Sequence, residues 1–165
     1  MDVLLEELAA GLPDSTQLAR VLTRLLSALF FGAIIGVQRE RSGKPAGVRT
    51  HMLVALGAVL FIVAPLESGM DPEAVSRVIQ GLITGIGFLG GGAILKLHEE
   101  REIEGLTTAA GIWLTAAVGV AVGLGRIGLG LICVILAWVV LSLLVSIEAR
   151  IAKQKAAKKI QRVSG

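Results

Sequence analysis

The sequence predicts an all-α integral membrane protein: a bundle of about five transmembrane helices with the N-terminus outside and the C-terminus in the cytoplasm. Three observations predict it. Apolar runs of helix length recur with almost no charge inside them, the pattern of bilayer-spanning helices. Glycines sit inside those runs at four-residue spacings, which lets membrane helices approach closely. Basic residues gather in alternate connectors, as the positive-inside rule requires. Composition alone decides less. Hydrophobic residues make up 54% of the 165 positions, and soluble domains also come near half.

The length fits one domain. It divides into an N-terminal interfacial segment (1–17), a transmembrane domain (18–147) and a basic cytoplasmic tail (148–165). In the first segment Leu4, Leu5, Leu8 and Leu12 form a short amphipathic pattern that Pro13 ends. It reads as interfacial or as a disordered tail. Asp2, Glu6 and Glu7 stand where a signal peptide would be basic. Asp14 or Ser15 then caps a helix.

The first span runs from about Leu18 to Val37. Ala28, Gly32 and Gly36 recur every fourth residue as a packing face. Arg24 lies one to two turns inside this apolar run. An intramembrane charge is either functional or snorkels to the nearer interface. The connector 38–51 is polar and basic. The second span, His51 to Leu66, ends near Pro65. At about 1.5 Å per residue it reaches about 24 Å, short of a core of about 30 Å. It either thins the bilayer or is partly re-entrant.

The third span, Arg77 to Lys96, is expected at the centre of the bundle. It carries Gly81, Gly85, Gly87, Gly90, Gly91 and Gly92. Glycine costs a helix about 1 kcal/mol relative to alanine in water, so this density needs a reason. Gly81 with Gly85, and Gly87 with Gly91, give two strips for tight helix packing. Gly85 to Gly90 also match the dinucleotide fingerprint, but that motif needs a preceding strand and a parallel sheet. The flanks here are apolar and helix-length. The charged connector Lys96–Glu104 follows. The fourth span covers about Gly105 to Leu124, Gly123–Arg126 make a tight turn, and the fifth span covers about Ile127 to Ile147.

Orientation follows from Lys and Arg. Arg39, Arg41, Lys44, Arg49, Lys96, Arg101, Arg150, Lys153, Lys155, Lys158, Lys159 and Arg162 fall on one side. Arg20, Arg24, Arg77 and Arg126 fall on the other. Twelve against four places the C-terminus in the cytoplasm. That topology brings Arg39, Glu40, Arg49, Thr50, His51, Thr107 and Thr108 to the same half of the bilayer. Together with Arg24 they form the candidate polar functional cluster. They either frame a polar vestibule or are ordinary helix ends in water.

The same stretches resemble the MgtC/SapB family. RLLSALFFGAIIGVQRER, KPAGVRTHMLVALGAVLF, RVIQGLITGIGFLGGGAIL and GLTTAAGIWLTAAVGVAVGLG look like its successive blocks, from about Arg24 to Gly125. The resemblance implies a multi-pass bacterial inner-membrane protein. Family members are linked to growth under magnesium limitation and, in pathogens, to virulence. Regulation of membrane ATPases or ion balance is the usual proposal for them. Arg24, Gly32, Gly36, Arg39 and Glu40 fall on the first block, and Ala46, Gly47, Arg49 and Thr50 on the second. Gly85, Gly87, Phe88, Leu89 and Gly90 fall on the third, and Gly105, Leu106, Thr107, Thr108 and Ala109 on the fourth. Two departures stand out: Gln38 replaces an acidic residue found in many relatives, and the chain stops at Gly165 without the soluble C-terminal domain that many carry.

No cofactor, metal site or catalytic residue is expected. His51, His98 and Cys133 do not form a zinc pattern. Glu99, Glu100, Glu102 and Glu104 could attract a hard cation, but a solvated helix face or connector is the better explanation. The basic residues flank spans and lack interleaved aromatics, so nucleic acid is not an expected partner. Expected partners are the lipid bilayer, a second copy in a homodimer, and another membrane protein such as an ATPase. Two functions compete. One is a non-enzymatic regulator acting on a membrane ATPase or on magnesium-linked ion homeostasis. The other is a small ion or solute transporter or channel with a polar cytoplasmic-side vestibule.

Overall fold

A computed structural model describes Val3 and residues 14–96 and 103–143. The rest of the 1–12 segment, the acidic residues Glu99, Glu100 and Glu102, and the tail 148–165 lie outside the described residues. Five helices appear among the described residues, the first four long and apolar enough to cross a membrane and the fifth shorter: α1 (Ser15–Arg41), α2 (Val48–Glu67), α3 (Pro72–Gly92), α4 (Leu106–Gly123) and α5 (Ile127–Leu143). A two-residue antiparallel ladder, β1 (Leu95–Lys96) with β2 (Ile103–Glu104), joins α3 to α4 in the register Leu95↔Glu104 and Lys96↔Ile103.

Local chemistry sets most of the boundaries. Asp14 begins α1 with a capping box: its Oδ1 accepts the Gln17 N–H at 2.7 Å while Gln17 reaches back to the Asp14 N–H. Asp71 caps α3 by accepting the Ala74 N–H at 2.7 Å, and Pro72 takes the first helical position. α1, α2 and α4 end alike, on a glycine with positive φ: Gly43, Gly69 and Gly125. After α4, the Arg126 N–H bonds the Ala121 carbonyl at 2.8 Å and the Gly125 N–H bonds that of Val122 at 2.9 Å, which is the Schellman closure.

Two spans differ from the sequence expectation. α2 has 20 residues, about 30 Å, and is long enough to cross. Its first turn, Val48-Arg49-Thr50, is polar and reads as loop. Pro65 sits inside the last turn and does not stop the helix. The third helix starts five residues earlier than expected and stops at Gly92, because Asp71 and Pro72 start it and the triple glycine run ends it.

The glycine-rich α3 is not at the centre. α2 holds that position, packed most extensively on α1 and next on α4. α3 leans on α4 and buries only Val75, Ile86 and Gly90. The physical reason lies in where small residues meet a partner. A Cβ on Gly32 would stand 2.7 Å from the His51 carbonyl oxygen, and one on Gly36 2.5 Å from the Val48 Cα. A Cβ on Gly119 would stand 2.6 Å from the Ala58 Cβ, and one on Gly123 2.7 Å from the Ile62 Cβ. α2 is therefore clamped by four glycines of two neighbours. On α3, a Cβ at Gly81, Gly85, Gly87 or Gly91 would meet nothing within 4 Å.

One apolar cluster joins Ala28, Phe31 and Ile35 of α1 to Ala55, Val59 and Val63 of α2, Val118 and Val122 of α4 and Val134 of α5. A second joins Ala46, Ala58, Ile86, Ile112 and Ala116. Large apolar side chains also cover the outside: Phe30, Phe61, Trp113 and Trp138 are exposed, and Phe88 is 84% exposed. A continuous apolar exterior on helices of spanning length is a lipid-facing surface. The chain is a multi-pass membrane protein.

Candidate functional site

At one end of the bundle, the last turn of α1 and the first turns of α2 and α4 meet. The buried polar residues gather there. Arg39 is 2% exposed, Thr108 2%, and His51 and Thr115 are fully buried. Gly36 allows this by bringing α1 onto the start of α2, so Arg39, three residues on, turns inward toward α4.

The Arg39 Nη2 donates to the Thr108 Oγ1 at 2.9 Å. The His51 Nδ1 lies 2.7 Å from the Thr115 Oγ1, and the Thr115 hydroxyl donates to the Gly111 carbonyl at 2.8 Å. Thr115 Oγ1 thus sits between the His51 ring and the Gly111 carbonyl, with the Ala46 backbone on the ring as well. Arg39 Nε and Gln38 Oε1 are buried and have no hydrogen-bond partner among the described residues. Thr108, Gly111 and Thr115 share one face of α4 at i, i+3 and i+7. Arg39 and His51 thus engage one face of α4 about two turns apart.

The Arg39 cation has no carboxylate partner among the described residues. The one ion pair there is Arg77 with Glu73, 3.1 Å apart and exposed on α3. Glu40, next in sequence to Arg39, is occupied elsewhere: its Oε2 accepts the Val48 N–H at 3.1 Å. That carboxylate supplies the cap that Gly47 lacks and meets the positive end of α2. A side chain on Gly47 would collide with it at 2.7 Å.

The other expected site residues scatter. Arg49 and Thr107 are exposed and Thr50 is partly buried. Arg24 lies at the opposite end. Its Nη1 donates to the Gly123 carbonyl at 3.0 Å, so it closes the C-terminus of α4 across 99 residues and meets that helix's negative end. Arg24→Met removes one charged hydrogen bond and should cost about 1.5–3 kcal/mol of stability, read as a lower unfolding midpoint in detergent; an unchanged midpoint would remove Arg24 from the cap. Sequence reading missed Thr115, Gly119 and Gly123. The signal was present: Gly111, Thr115, Gly119 and Gly123 recur every fourth residue along α4.

No group of three or more His, Cys, Asp or Glu side chains that could hold a metal occurs among the described residues. What the site offers chemically is positive: a buried guanidinium with a free Nε–H, beside the first turn of a helix.

The model of the MgtC family matches residues 25–150. SrpB of Synechococcus elongatus is 47% identical over 120 residues, covering 66% of each chain. YhiD of Escherichia coli K12 is 39% identical over 123 residues, 68% of this chain and 55% of its own. MgtC of Salmonella typhimurium is 41% identical over 102 residues, 62% of this chain and 42% of its own. The chain spans about two fifths to two thirds of the length of these relatives. No solved structure matches it.

Proposed function

This chain belongs to the MgtC family, and from that premise we propose that it is a non-enzymatic regulator embedded in the bacterial inner membrane. It serves magnesium-linked ion homeostasis by contact with a membrane partner such as an ATPase. The link to magnesium draws on the family resemblance and on YhiD, whose name proposes magnesium transport for it. In this reading the bundle end that holds Arg39 faces the cytoplasm, as the distribution of Lys and Arg favours.

The observation that carries regulation over magnesium conduction is the buried Arg39. A magnesium path needs oxygen ligands and negative charge. At about 5 Å and an effective dielectric of about 20, a divalent cation would meet about 7 kcal/mol of repulsion from one guanidinium. The polar core has the wrong sign for that cargo.

Pairing with a second copy needs a surface, and α3 offers one. Its open glycines border an apolar groove lined by Phe61, Val78, Leu82, Ile86 and Leu89. A second copy seated there gives a homodimer in which these glycines acquire the close contacts they lack within one chain. Energy transfer between two differently labelled populations in liposomes tests this. Gly85→Leu and Gly91→Leu should abolish transfer while the protomer stays folded, since neither glycine touches the rest of its own chain. Unchanged transfer in both variants would remove α3 from the interface.

A further inference from the structure

The start of α4 combines two features that independently call for an anion. The first is the helix N-terminus. α4 has 18 residues, its N-cap is Gly105, which has no side chain to cap with, and no side chain among the described residues bonds its first-turn N–H groups. Those groups point outward at the positive end of the helix. α1's cap acceptor is Asp14, α2's is Glu40 and α3's is Asp71; α4 has none among the described residues. The second is Arg39. Its guanidinium lies against this first turn through Thr108, it is 2% exposed, and its Nε–H has no partner among the described residues. A buried cation without a counter-charge is costly by several kcal/mol, and a guanidinium is shaped to grip an oxyanion with two parallel hydrogen bonds.

Leu106 and Thr107 are exposed while Thr108 and Arg39 are buried. A ligand of this turn has to approach from the Leu106–Thr107 side, with the guanidinium beneath the surface. Gly105 holds φ +92° and packs against the Ala93 carbonyl, which a side chain at this position would run into.

The geometry points to an oxyanion-binding site at the N-terminus of α4, formed by the first-turn N–H groups of Leu106, Thr107 and Thr108 and by the guanidinium of Arg39. The ligand chemistry is a tetrahedral phosphate oxyanion, either free in solution or carried on a lipid headgroup. Thr108 is the positioning residue that aims Arg39. The site gives the proposed regulator a ligand of the sign opposite to magnesium, and it rests on that reading for its purpose. The binding test below does not depend on it: its failure would remove the ligand and leave the question of ion flux untouched.

The test is titration calorimetry on the full chain in maltoside. Inorganic phosphate is one probe and phosphatidylglycerol the other, with ionic strength held constant by chloride. One saturable site per protomer is expected for at least one probe. Arg39→Lys keeps the charge but loses the fork, and should weaken binding at least tenfold. Thr108→Val should weaken it several-fold, and Arg39→Met should abolish it. Should Arg39→Met fail to fold, the other two variants carry the test. Saturation by inorganic phosphate that the lipid does not compete away assigns a free anion; saturation by the lipid alone assigns a headgroup. No saturable binding of either probe would overturn the proposal, as would binding left intact in both Arg39→Lys and Thr108→Val.

Discussion

Gly36→Leu is expected to yield no folded protein, and Gly36→Ala to lose about 1–3 kcal/mol, the usual cost of overpacking. The reason is that the obstruction is backbone. A Cβ at position 36 would stand 2.5 Å from the Val48 Cα and 3.0 Å from the Val48 N. No rotamer change relieves that contact; α1 must separate from α2. Separation also withdraws Glu40 from the α2 N-terminus and Arg39 from Thr108, since both lie within one turn of Gly36. Gly85→Ala provides the contrast. It meets open space, and in detergent-dispersed protomers it should leave stability unchanged or raise it by up to about 1 kcal/mol through helix propensity. Unfolding midpoints measured side by side check both. Equal losses at positions 36 and 85 would contradict the packing.

The second large effect concerns sign. Arg39→Met is expected to leave stability unchanged or to raise it, while Thr108→Val is expected to lower it by about 1.5–3 kcal/mol. Arg39 is a buried cation with no carboxylate partner among the described residues. Replacing such a charge by an apolar side chain of similar volume is often neutral or stabilising. Removing Thr108 Oγ1 instead strands the guanidinium further, and losing a hydrogen bond to a charged group costs about this much. The double variant should return close to Arg39→Met alone, because the stranded charge is gone. A thermodynamic cycle over the four proteins measures this coupling directly. Additive losses would show that the two side chains act separately.

Much of the fold was legible because its determinants are local or periodic. The apolar runs mark the helices. Asp14 marks the first start, and the repeat through Gly32 and Gly36 marks the seam with α2; the start at Asp71 and Pro72 was missed because the span was sought in the apolar run from Arg77. The start of α2 was harder to read, since Val48-Arg49-Thr50 is polar and its cap comes from Glu40, eight residues upstream on another helix. The centre of the bundle was misplaced for a related reason. Glycine spacing shows that a helix has a flat face but not whether the partner belongs to the same chain. α1 and α4 use that face inside the protomer; α3 leaves it open.

The candidate site was legible in its residue types and less so in its pairing. Topology alone brings Arg39, His51 and Thr108 to one end. That Arg39 bonds Thr108 while His51 bonds Thr115 depends on the rotation of α4 about its axis. Thr115 sits in an apolar stretch and looks like packing. Arg24 gave the opposite problem. A charge inside an apolar run suggests function, yet its hydrogen-bond partner is the Gly123 carbonyl, 99 residues away.

The proposed regulator does not conduct magnesium. The most direct measurement is flux into liposomes holding the full chain in known orientation, with magnesium-, potassium- and proton-sensitive dyes, for the wild-type protein and for Arg39→Met. No magnesium movement above protein-free liposomes is expected in either case. Saturable magnesium flux through the folded wild-type chain would contradict it, most sharply if Arg39→Met changed the rate, because the guanidinium would then line the path.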